Sequence, residues 1–306
     1  MEHTPQILCI GALHWDREIQ CIADTVLDQS NPAYSRTIPG GVAFNVATTL
    51  AGLNCTAGLV SRVGSDPEGA ALIDHLDSSS VNVIDVGIEW DMQTATYTAI
   101  LTADGELLIG LADMDIYDGL DDRYWAKRKT ILNGWDAWCI DTNLPESGLR
   151  YLCGQNDRPR LYALATSPAK ITRLRTLLKT VDTLILNIAE ASMLTGQSHC
   201  GIDGAEKAAQ LLCAAGVDRT LVTQGAGGGA WADATNSGTM AAPPQPNQLI
   251  RVSGAGDSFA AAAIAALEKS HSTAKALELG IHASHLFIQS SDPKTPDHLG
   301  TDPSEE

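Results

Sequence analysis

The residues with the clearest chemical meaning form one short stretch, Gly254-Ala255-Gly256-Asp257, which runs into an alanine-rich segment at 260–267. The two glycines leave consecutive backbone N–H groups uncovered by side chains. The helix that begins there adds its own unpaired N–H groups and the positive end of its dipole. Together these groups make an anion site suited to a phosphate. An ordinary glycine turn with an acid in the first helical turn is the alternative interpretation.

The carboxylate of Asp257 needs an explanation, because it would repel an anion bound at the same helix start. Its presence is explained if it accepts a proton from a hydroxyl group that then attacks phosphorus. The stretch therefore favours a site for phosphoryl transfer to a hydroxyl group.

A second glycine-opened helix carries polar groups that suit a hydroxyl-bearing ligand. Gly40 and Gly41 permit close backbone approach to a ligand, and Asn45 in the first turn offers both a donor and an acceptor. Asp16 lies where the chain from Ala12 onward leaves the first buried strand, at the strand end where open α/β sheets bind ligands. A glycine loop before a core helix and a solvated loop acid are the plainer interpretations.

Further polar and glycine-rich stretches lie at predicted strand ends. Asn187 and Glu190 are three residues apart at a strand-to-helix junction and face the same way. Their oxygens suit water-mediated Mg²⁺ with phosphates, although the same spacing fits a helix capping box. The glycine-rich stretch 225–229 fits either contact with a nucleotide or a hairpin turn. The acids within 112–118 fit a ligand contact or a solvated loop.

The order of predicted elements indicates an α/β fold. Alternating strands and helices of this length predict a doubly wound, mostly parallel sheet flanked by helices. In the second half of the chain, strands are predicted at 138–141, 160–165, 183–187 and 219–223, and helices at 145–153, 168–179, 189–194, 204–215 and 273–290.

A separate small sheet is expected over the strand ends. Residues 94–110 alternate around an Asp-Gly turn, which is typical of an antiparallel hairpin. We expect this hairpin to pair with strands at 18–38 and to form a lid. No linker divides the chain, so residues 1–290 are predicted to form one domain. Residues 291–306, rich in Asp, Pro, Ser and Glu, are predicted to form a flexible tail.

Composition narrows the class of partner. The chain has 306 residues and a net charge of −17, which argues against binding a polyanion. Aromatic residues are 5%, too few for a base-stacking surface. The seven scattered cysteines contain no C-x-x-C pair and indicate reduced thiols in a cytoplasmic protein. No apolar run approaches the roughly 18 residues that a membrane span needs. These features favour a small-molecule ligand over a nucleic acid or a membrane.

The order of the motifs resembles the PfkB/ribokinase-type family of small-molecule kinases. The resemblance rests on the glycine pair near 41, Asn-x-x-Glu at 187, Thr-x-Gly at 223 and Gly-Ala-Gly-Asp at 254, and it extends from residue 7 to about 290. It implies an α/β domain whose β-sheet lid often mediates dimerisation, here a homodimer. It also implies transfer of the ATP γ-phosphate to a hydroxymethyl group, usually with Mg²⁺.

The resemblance implies a role for each matching residue. Asp257 would be the general base, and the N–H groups of Gly254, Ala255 and Gly256 would stabilise charge on the transferred phosphoryl group. The residues implied to hold the acceptor are Asp16, Gly40, Gly41 and Asn45. The residues implied to bind the nucleotide are Asn187, Thr223, Gly225 and Gly228. Glu190 is the residue implied to act with Asn187 on the metal.

One position departs from the family pattern. The family often has an acid three residues before the Gly-Ala-Gly-Asp motif, where it helps to bind a monovalent cation. This chain has Arg251 there, which argues against a potassium site.

Within the family, the stretches 112–117 and 141–144 resemble pseudouridine kinases. This resemblance implies phosphorylation of the 5′-hydroxyl of free pseudouridine, with Asp113, Met114 and Asn143 near the nucleoside. A ribose or fructose kinase, another nucleoside kinase and a non-catalytic sugar- or nucleotide-binding protein are the alternatives. The intact motif that contains Asp257 argues against the last of these.

Overall fold

The computed structural model of the protein describes residues 3–246 and 253–290. The strands are β1 (Gln6–Ile10), β2 (His14–Cys21), β3 (Ala33–Gly40), β4 (Thr56–Gly64), β5 (Asn82–Glu89), β6 (Thr96–Leu101), β7 (Leu107–Asp113), β8 (Ala137–Asp141), β9 (Arg160–Leu164), β10 (Thr183–Asn187), β11 (Arg219–Thr223), β12 (Gly229–Asp233) and β13 (Ser237–Met240). The α-helices are α1 (Val42–Gly52), α2 (Pro67–Asp77), α3 (Asp122–Lys127), α4 (Glu146–Cys153), α5 (Pro168–Ile171), α6 (Ile188–Thr195), α7 (Gly201–Ala214), α8 (Ala255–Glu268) and α9 (Thr273–Gln289). None of these helices is long and apolar enough to cross a membrane.

The main sheet has nine strands in the order β13-β12-β11-β10-β9-β8-β1-β4-β5. The seven strands β11, β10, β9, β8, β1, β4 and β5 are parallel to their neighbours in the sheet. Strands β12 and β13 continue the sheet with antiparallel pairing. The predicted doubly wound, mostly parallel sheet is therefore confirmed. The strand order reverses between β1 and β8, so that the chain continues to opposite sides of the sheet from these two neighbours. Sheets of this kind bind ligands at the carboxyl ends of the strands where the order reverses.

Side chains on the two faces of the sheet form two cores. Ile7 and Cys9 of β1 pack into the core that contains α1 and α8, whereas Leu8 and Ile10 pack into the core with α4 and α7. Successive strand residues point to opposite faces, so a strand covered on both sides is apolar throughout. This burial explains the continuous apolar run of β1 that the sequence contains.

The lid sheet, defined here as β2, β3, β6 and β7, has the order β3-β2-β6-β7. Strands β6 and β7 are antiparallel, and β6 pairs parallel with β2. The lid sheet begins at His14 and ends at Asp113. Asp16 therefore lies inside a strand rather than in the loop expected after β1, because its backbone pairs on both sides, opposite Ile38 and Tyr97.

The predicted helix at 168–179 is wrong beyond Ile171. The α-helix α5 is followed by single 3-10 turns at Thr172–Leu174 and Leu178–Thr180. Hydroxyl groups compete here for backbone carbonyls, because Thr172 Oγ1 donates to the Ala169 carbonyl and Thr180 Oγ1 to the Leu177 carbonyl. Arg251 and the predicted tail at 291–306 lie outside the described residues.

Candidate active site

Helix α8 starts in a way that leaves its amino end open. Gly254 has a φ of 93°, in the left-handed region that glycine adopts without strain. A Cβ at this position would also lie 2.7 Å from the Phe287 ring. No side chain in the described part of the molecule caps the helix. A Cβ on Gly256 would meet nothing within 4 Å. The first N–H groups of α8 thus border open space, which fits a bound anion.

Asp257 lies in the first turn of α8 and is partly buried. Asn45 Nδ2 donates to Asp257 Oδ2 across 2.7 Å. The pKa of Asp257 is raised to about 7, chiefly by burial, although the bond from Asn45 lowers it. The negative charges of Asp141, Asp16 and Glu190 raise its pKa further. A carboxylate whose pKa lies near neutrality is matched to the work of a general base.

The lid cavity, of about 260 Å³, lies between the start of α1, the lid sheet and Asp257. Its lining residues are His14, Asp16, Gly41, Val42, Asn45, Tyr97, Ala112, Met114, Asn143, Thr166, Ser167, Lys170, Ser253 and Asp257. Five residues predicted to bind the acceptor therefore lie in the same cavity as the predicted base: Asp16, Gly41, Asn45, Met114 and Asn143.

Two glycines make room for this arrangement. Gly41 has a φ of 105° and packs so closely on the Ala12 carbonyl that a Cβ would overlap it. A Cβ on Gly40 would overlap the carboxylate of Asp16. Gly40 is outside the cavity lining and acts by leaving space for Asp16. His14 Nε2 lies 3.1 Å from Asp16 Oδ1 and holds that carboxylate from the other side.

Neighbouring residues at the end of β7 have different surroundings. Ala112 and Met114 line the lid cavity, whereas Asp113 between them is exposed and is absent from the lining. Successive side chains along an extended chain point to opposite faces. Of the two acceptor contacts predicted here, the structure brings Met114 to the site and leaves Asp113 outside it.

Asp141 is a buried carboxylate that the prediction of site residues missed. It ends β8, where Oδ2 accepts the Ala12 N–H and Oδ1 accepts the Asn143 N–H, each at 2.8 Å. Burial raises the pKa of Asp141. Its two bonds join the chain segments that leave β1 and β8. The sequence contained a signal that could have identified Asp141, namely an acid at the carboxyl end of a buried strand. The same signal predicted Asp16.

Lys170 is a second residue missed from the sequence. Its Nζ donates to Asn143 Oδ1 at 2.6 Å. A lysine just after the start of a short helix has no distinguishing pattern, because exposed helices commonly carry lysine. The residue that it contacts lies 27 positions away in the chain, so local sequence does not reveal the pair.

The hairpin cavity, of about 200 Å³, lies on the other side of the α8 start. Its lining residues are Thr223, Gly225, Ala226, Gly228, Ala242, Pro243, Gln245, Ala255, Gly256, Phe259, Ile281, Ser284, His285 and Ile288. The predicted nucleotide contacts Thr223, Gly225 and Gly228 are all among them. The glycine-rich stretch forms the turn between β11 and β12, so it is both a hairpin turn and a cavity wall.

The central cavity, of about 210 Å³, lies between the other two. It shares Asp257 with the lid cavity and Gly256 with the hairpin cavity. Asn187, Glu190 and Thr223 form part of its wall. A ligand group in the central cavity would therefore contact both the carboxylate and the open helix start.

Asn187 and Glu190 form the capping box that was one of the two interpretations. Asn187 Oδ1 accepts the Glu190 N–H at 3.0 Å, and Glu190 Oε2 accepts the Asn187 N–H at 2.8 Å. Burial raises the pKa of Glu190. In the described ranges, no group of three or more His, Cys, Asp and Glu residues could hold a metal ion. One carboxylate fits Mg²⁺ that is held mainly by phosphates and water.

Comparisons with known proteins identify the family of the chain. The model of the pfkB family carbohydrate kinases matches residues 4–298. Pseudouridine kinase of Escherichia coli (strain K12) is 30% identical over 232 residues, which are 76% of this chain and 74% of that protein. Guanosine-inosine kinase of Exiguobacterium acetylicum is 26% identical over 290 residues, 94% and 95% of the two chains.

A solved structure shares the fold. Ribokinase of Arabidopsis thaliana, complexed with ribose and ATP, has a TM-score of 0.81 at 20% identity, and the match covers 97% of each chain. The fold is therefore ribokinase-like, with a small separate sheet beside the main one. The chain belongs to the pfkB family of carbohydrate kinases and is a phosphotransferase that acts on a hydroxyl group of a sugar or nucleoside.

Proposed function

We propose that the protein transfers the γ-phosphate of ATP to the 5′-hydroxyl of free pseudouridine. The observation that carries this proposal is the position of Asp257, which lines both the lid cavity and the central cavity. An acceptor in the lid cavity and a phosphate at the start of α8 would meet at this carboxylate.

On the acceptor side, Asp16 and Asn45 would hold the ribose hydroxyls, with Gly41 allowing close approach. Asp257 would accept the proton of the 5′-hydroxyl as its oxygen forms a bond to the γ-phosphorus. The bond from that phosphorus to the β-phosphate oxygen would break and release ADP. The raised pKa of Asp257 supports this role, because a carboxylate of ordinary acidity is a weaker base.

On the donor side, the open N–H groups at Gly254, Ala255 and Gly256 would stabilise charge on the transferred phosphoryl group. Fixed donors aimed at developing charge are commonly the largest contribution to catalysis. The nucleotide would occupy the hairpin cavity beside Thr223 and Gly225.

Glu190 and Asn187 border the central cavity and would help to hold Mg²⁺. Bound Mg²⁺ would neutralise charge on the phosphate oxygens. The capping box would keep the Glu190 side chain in place at the start of α6, so that a water-mediated contact needs little reorganisation.

The substrate proposal is supported by the similarity to E. coli pseudouridine kinase and by Met114 and Asn143 in the lid cavity. A purine ribonucleoside is the second candidate, since the similarity to guanosine-inosine kinase covers 94% of this chain. A non-catalytic binding protein would have no need for a carboxylate beside the phosphate site at the start of α8.

We also propose a homodimer that forms through the lid sheet in the cytoplasm. The outward strand β7 exposes Leu107, Ile109 and Leu111, and an exposed apolar edge strand favours pairing with another chain. All seven cysteines are free thiols, which suits a reducing compartment. Size-exclusion chromatography of the wild type against Ile109→Lys tests the dimer, because the lysine should shift the protein to monomer.

The function is tested by ADP formation with pseudouridine, uridine, guanosine, inosine, ribose and fructose as acceptors. Pseudouridine should have the highest kcat/KM. Asp257→Asn should lower kcat by about 10²- to 10⁴-fold, the usual contribution of a general base. Asp74→Asn, an exposed acid on α2, is the matched control and should keep wild-type activity.

The results of this assay distinguish an error in the proposed kinase activity from an error in the proposed acceptor. If no acceptor consumes ATP, the kinase proposal fails. If ribose is preferred to every nucleoside, only the acceptor is wrong. ATP and a nucleoside should each raise the unfolding temperature of Asp257→Asn, because a ligand that binds the folded state stabilises it.

A further inference from the structure

The lid cavity contains one Lys or Arg side chain within the described part of the chain, that of Lys170. Its Nζ donates to Asn143 Oδ1 at 2.6 Å and lies 3.3 Å from Met114 Sδ. Both partners also line the cavity. Lys170 is therefore a positively charged group in the wall that an acceptor would touch.

The ammonium group of Lys170 has one N–H donor that its two protein partners do not use. An ammonium group has three N–H donors and no acceptor. Asn143 Oδ1 takes one donor and the weakly accepting sulfur of Met114 takes a second, which leaves a third. Because Lys170 can only donate, the atom of Asn143 that meets it must be oxygen. The Asn143 amide nitrogen is then the group that donates to the Asp141 carboxylate, a hydrogen bond that lowers the pKa of Asp141. The donor left for a ligand is therefore the third N–H of Lys170, which Asn143 holds in place.

The wall is also held rigidly. Arg173 Nη1 donates to the carbonyl oxygens of Thr142, Asn143 and Leu144 at 3.1, 3.0 and 2.8 Å. The Asn143 N–H donates to Asp141 Oδ1 at 2.8 Å. The loop that carries Asn143 is thus fixed from both sides, and a preorganised loop loses less entropy when a ligand binds.

The remaining N–H donor of Lys170 requires an acceptor atom on the ligand. Two kinds of oxygen satisfy it, the neutral carbonyl of a nucleobase and the charged oxygen of a phosphorylated sugar. The carboxylates of Asp16 and Asp257 line the same cavity and would repel a dianion bound there. A neutral carbonyl meets the donor without that repulsion.

We propose that Lys170, oriented by Asn143, determines specificity by donating a hydrogen bond to a carbonyl oxygen of a uracil-type base. This inference rests on the proposed function, since it assumes a nucleoside in the lid cavity. Sugars without a base would leave the remaining donor of Lys170 unused. The residue would then select nucleosides over free ribose without contacting the hydroxyl that is phosphorylated.

The test compares wild type with Lys170→Met, which keeps the length and apolar volume of the side chain and removes its donors. The acceptors are pseudouridine, a C-riboside whose base is replaced by an unsubstituted phenyl ring, ribose, and a phosphorylated ribose with a free 5′-hydroxyl. A hydrogen bond to a charged group contributes about 1.5 to 3 kcal/mol, which is about 10- to 100-fold in affinity. We expect KM for pseudouridine to rise by that factor, and KM for the phenyl riboside and for ribose to change less than about twofold.

A purely structural role for Lys170 predicts another pattern, in which KM or kcat changes by the same factor for every acceptor. That pattern would overturn the proposal. A wild-type preference for a sugar phosphate, lost in Lys170→Met, would also overturn it. Lys207→Met, an exposed lysine on α7, is the control and should resemble wild type.

Failure of the underlying function is separable from failure of this inference. Wild type that phosphorylates no nucleoside contradicts the proposed function before any variant is compared. Wild type that phosphorylates pseudouridine and the phenyl riboside with equal KM contradicts only the role of Lys170, and this comparison needs no variant that must fold.

Discussion

Asn45 donates a hydrogen bond of 2.7 Å to the carboxylate of Asp257, and the two residues are 212 positions apart in the chain. The bond joins the first turns of α1 and α8, each of which has a glycine as its N-cap. It favours the charged form of Asp257, whereas burial favours the neutral form more strongly. The result is a carboxyl group that titrates close to neutral pH and is held at the edge of the lid cavity.

The rate should depend on pH through Asp257. A base must be unprotonated, and the pKa of this carboxyl is raised to about 7, so kcat/KM should fall about tenfold for each pH unit below that value. A profile of kcat/KM from pH 5 to 9 measures this, with the stability of the enzyme checked at each pH. A flat profile below pH 7 would contradict the assignment of the base.

The free energy of unfolding should also depend on pH through the carboxyl group of Asp257. The pKa of Asp257 in the folded state lies above the ordinary value of 3.8, so ionisation of its carboxyl group destabilises the folded state increasingly as pH rises from about 4 to 7. Asp257→Asn removes this cost and should stabilise the protein at pH 8 by about 1 to 4 kcal/mol, since one pKa unit corresponds to about 1.4 kcal/mol. Urea unfolding at pH 8 and pH 4 measures it. An equal effect at both values would show that ionisation is not the cause.

The two glycines of the helix start should respond differently to alanine. A Cβ on Gly256 meets open space, and alanine is favoured over glycine inside a helix by about 1 kcal/mol. Gly256→Ala should therefore keep or raise the unfolding temperature and still lower kcat, because its methyl group would enter the space of the phosphate. Activity equal to wild type would argue against phosphate binding here.

Gly254→Ala is the matched variant for comparison. Its Cβ would lie 2.7 Å from the Phe287 ring at a φ of 93°, so this variant should lose stability as well as activity. Circular dichroism melts of both proteins separate the two cases. Equal melting temperatures would show that the helix start adapts more easily than its geometry indicates.

Glu190→Gln should separate capping from metal binding. Glutamine can accept the Asn187 N–H in a capping box as glutamate does, so the unfolding temperature should stay close to wild type. Loss of the negative charge should raise the Mg²⁺ concentration needed for half-maximal activity, and it should weaken Mg²⁺-dependent ATP binding measured by calorimetry. Glu146→Gln, at an exposed first turn of α4, is the control. An unchanged Mg²⁺ requirement in Glu190→Gln would leave the residue with capping alone.

Local patterns were sufficient for much of the fold and for part of the site. Strand and helix periodicity predicted the parallel sheet, because burial on both faces produces a continuous apolar run such as that of β1. The helix start at Gly254 and the Asn187–Glu190 pair depend on residues within one turn, so their local structure could be inferred from sequence. The sequence could not decide whether Asn187 and Glu190 cap the helix or contact a ligand, because both uses require the same spacing.

The sequence by itself determined the residue types at the strand ends and helix starts, and hence the phosphoryl-transfer chemistry expected there. Only the tertiary structure decided which of these residues share a cavity. Asp141 reaches the Ala12 N–H across 129 positions, and Lys170 reaches Asn143 Oδ1 across 27 positions. Asp113, the last residue of β7, lies outside the lid cavity that its neighbours Ala112 and Met114 line. These outcomes depend on packing between distant segments, which sequence periodicity does not encode.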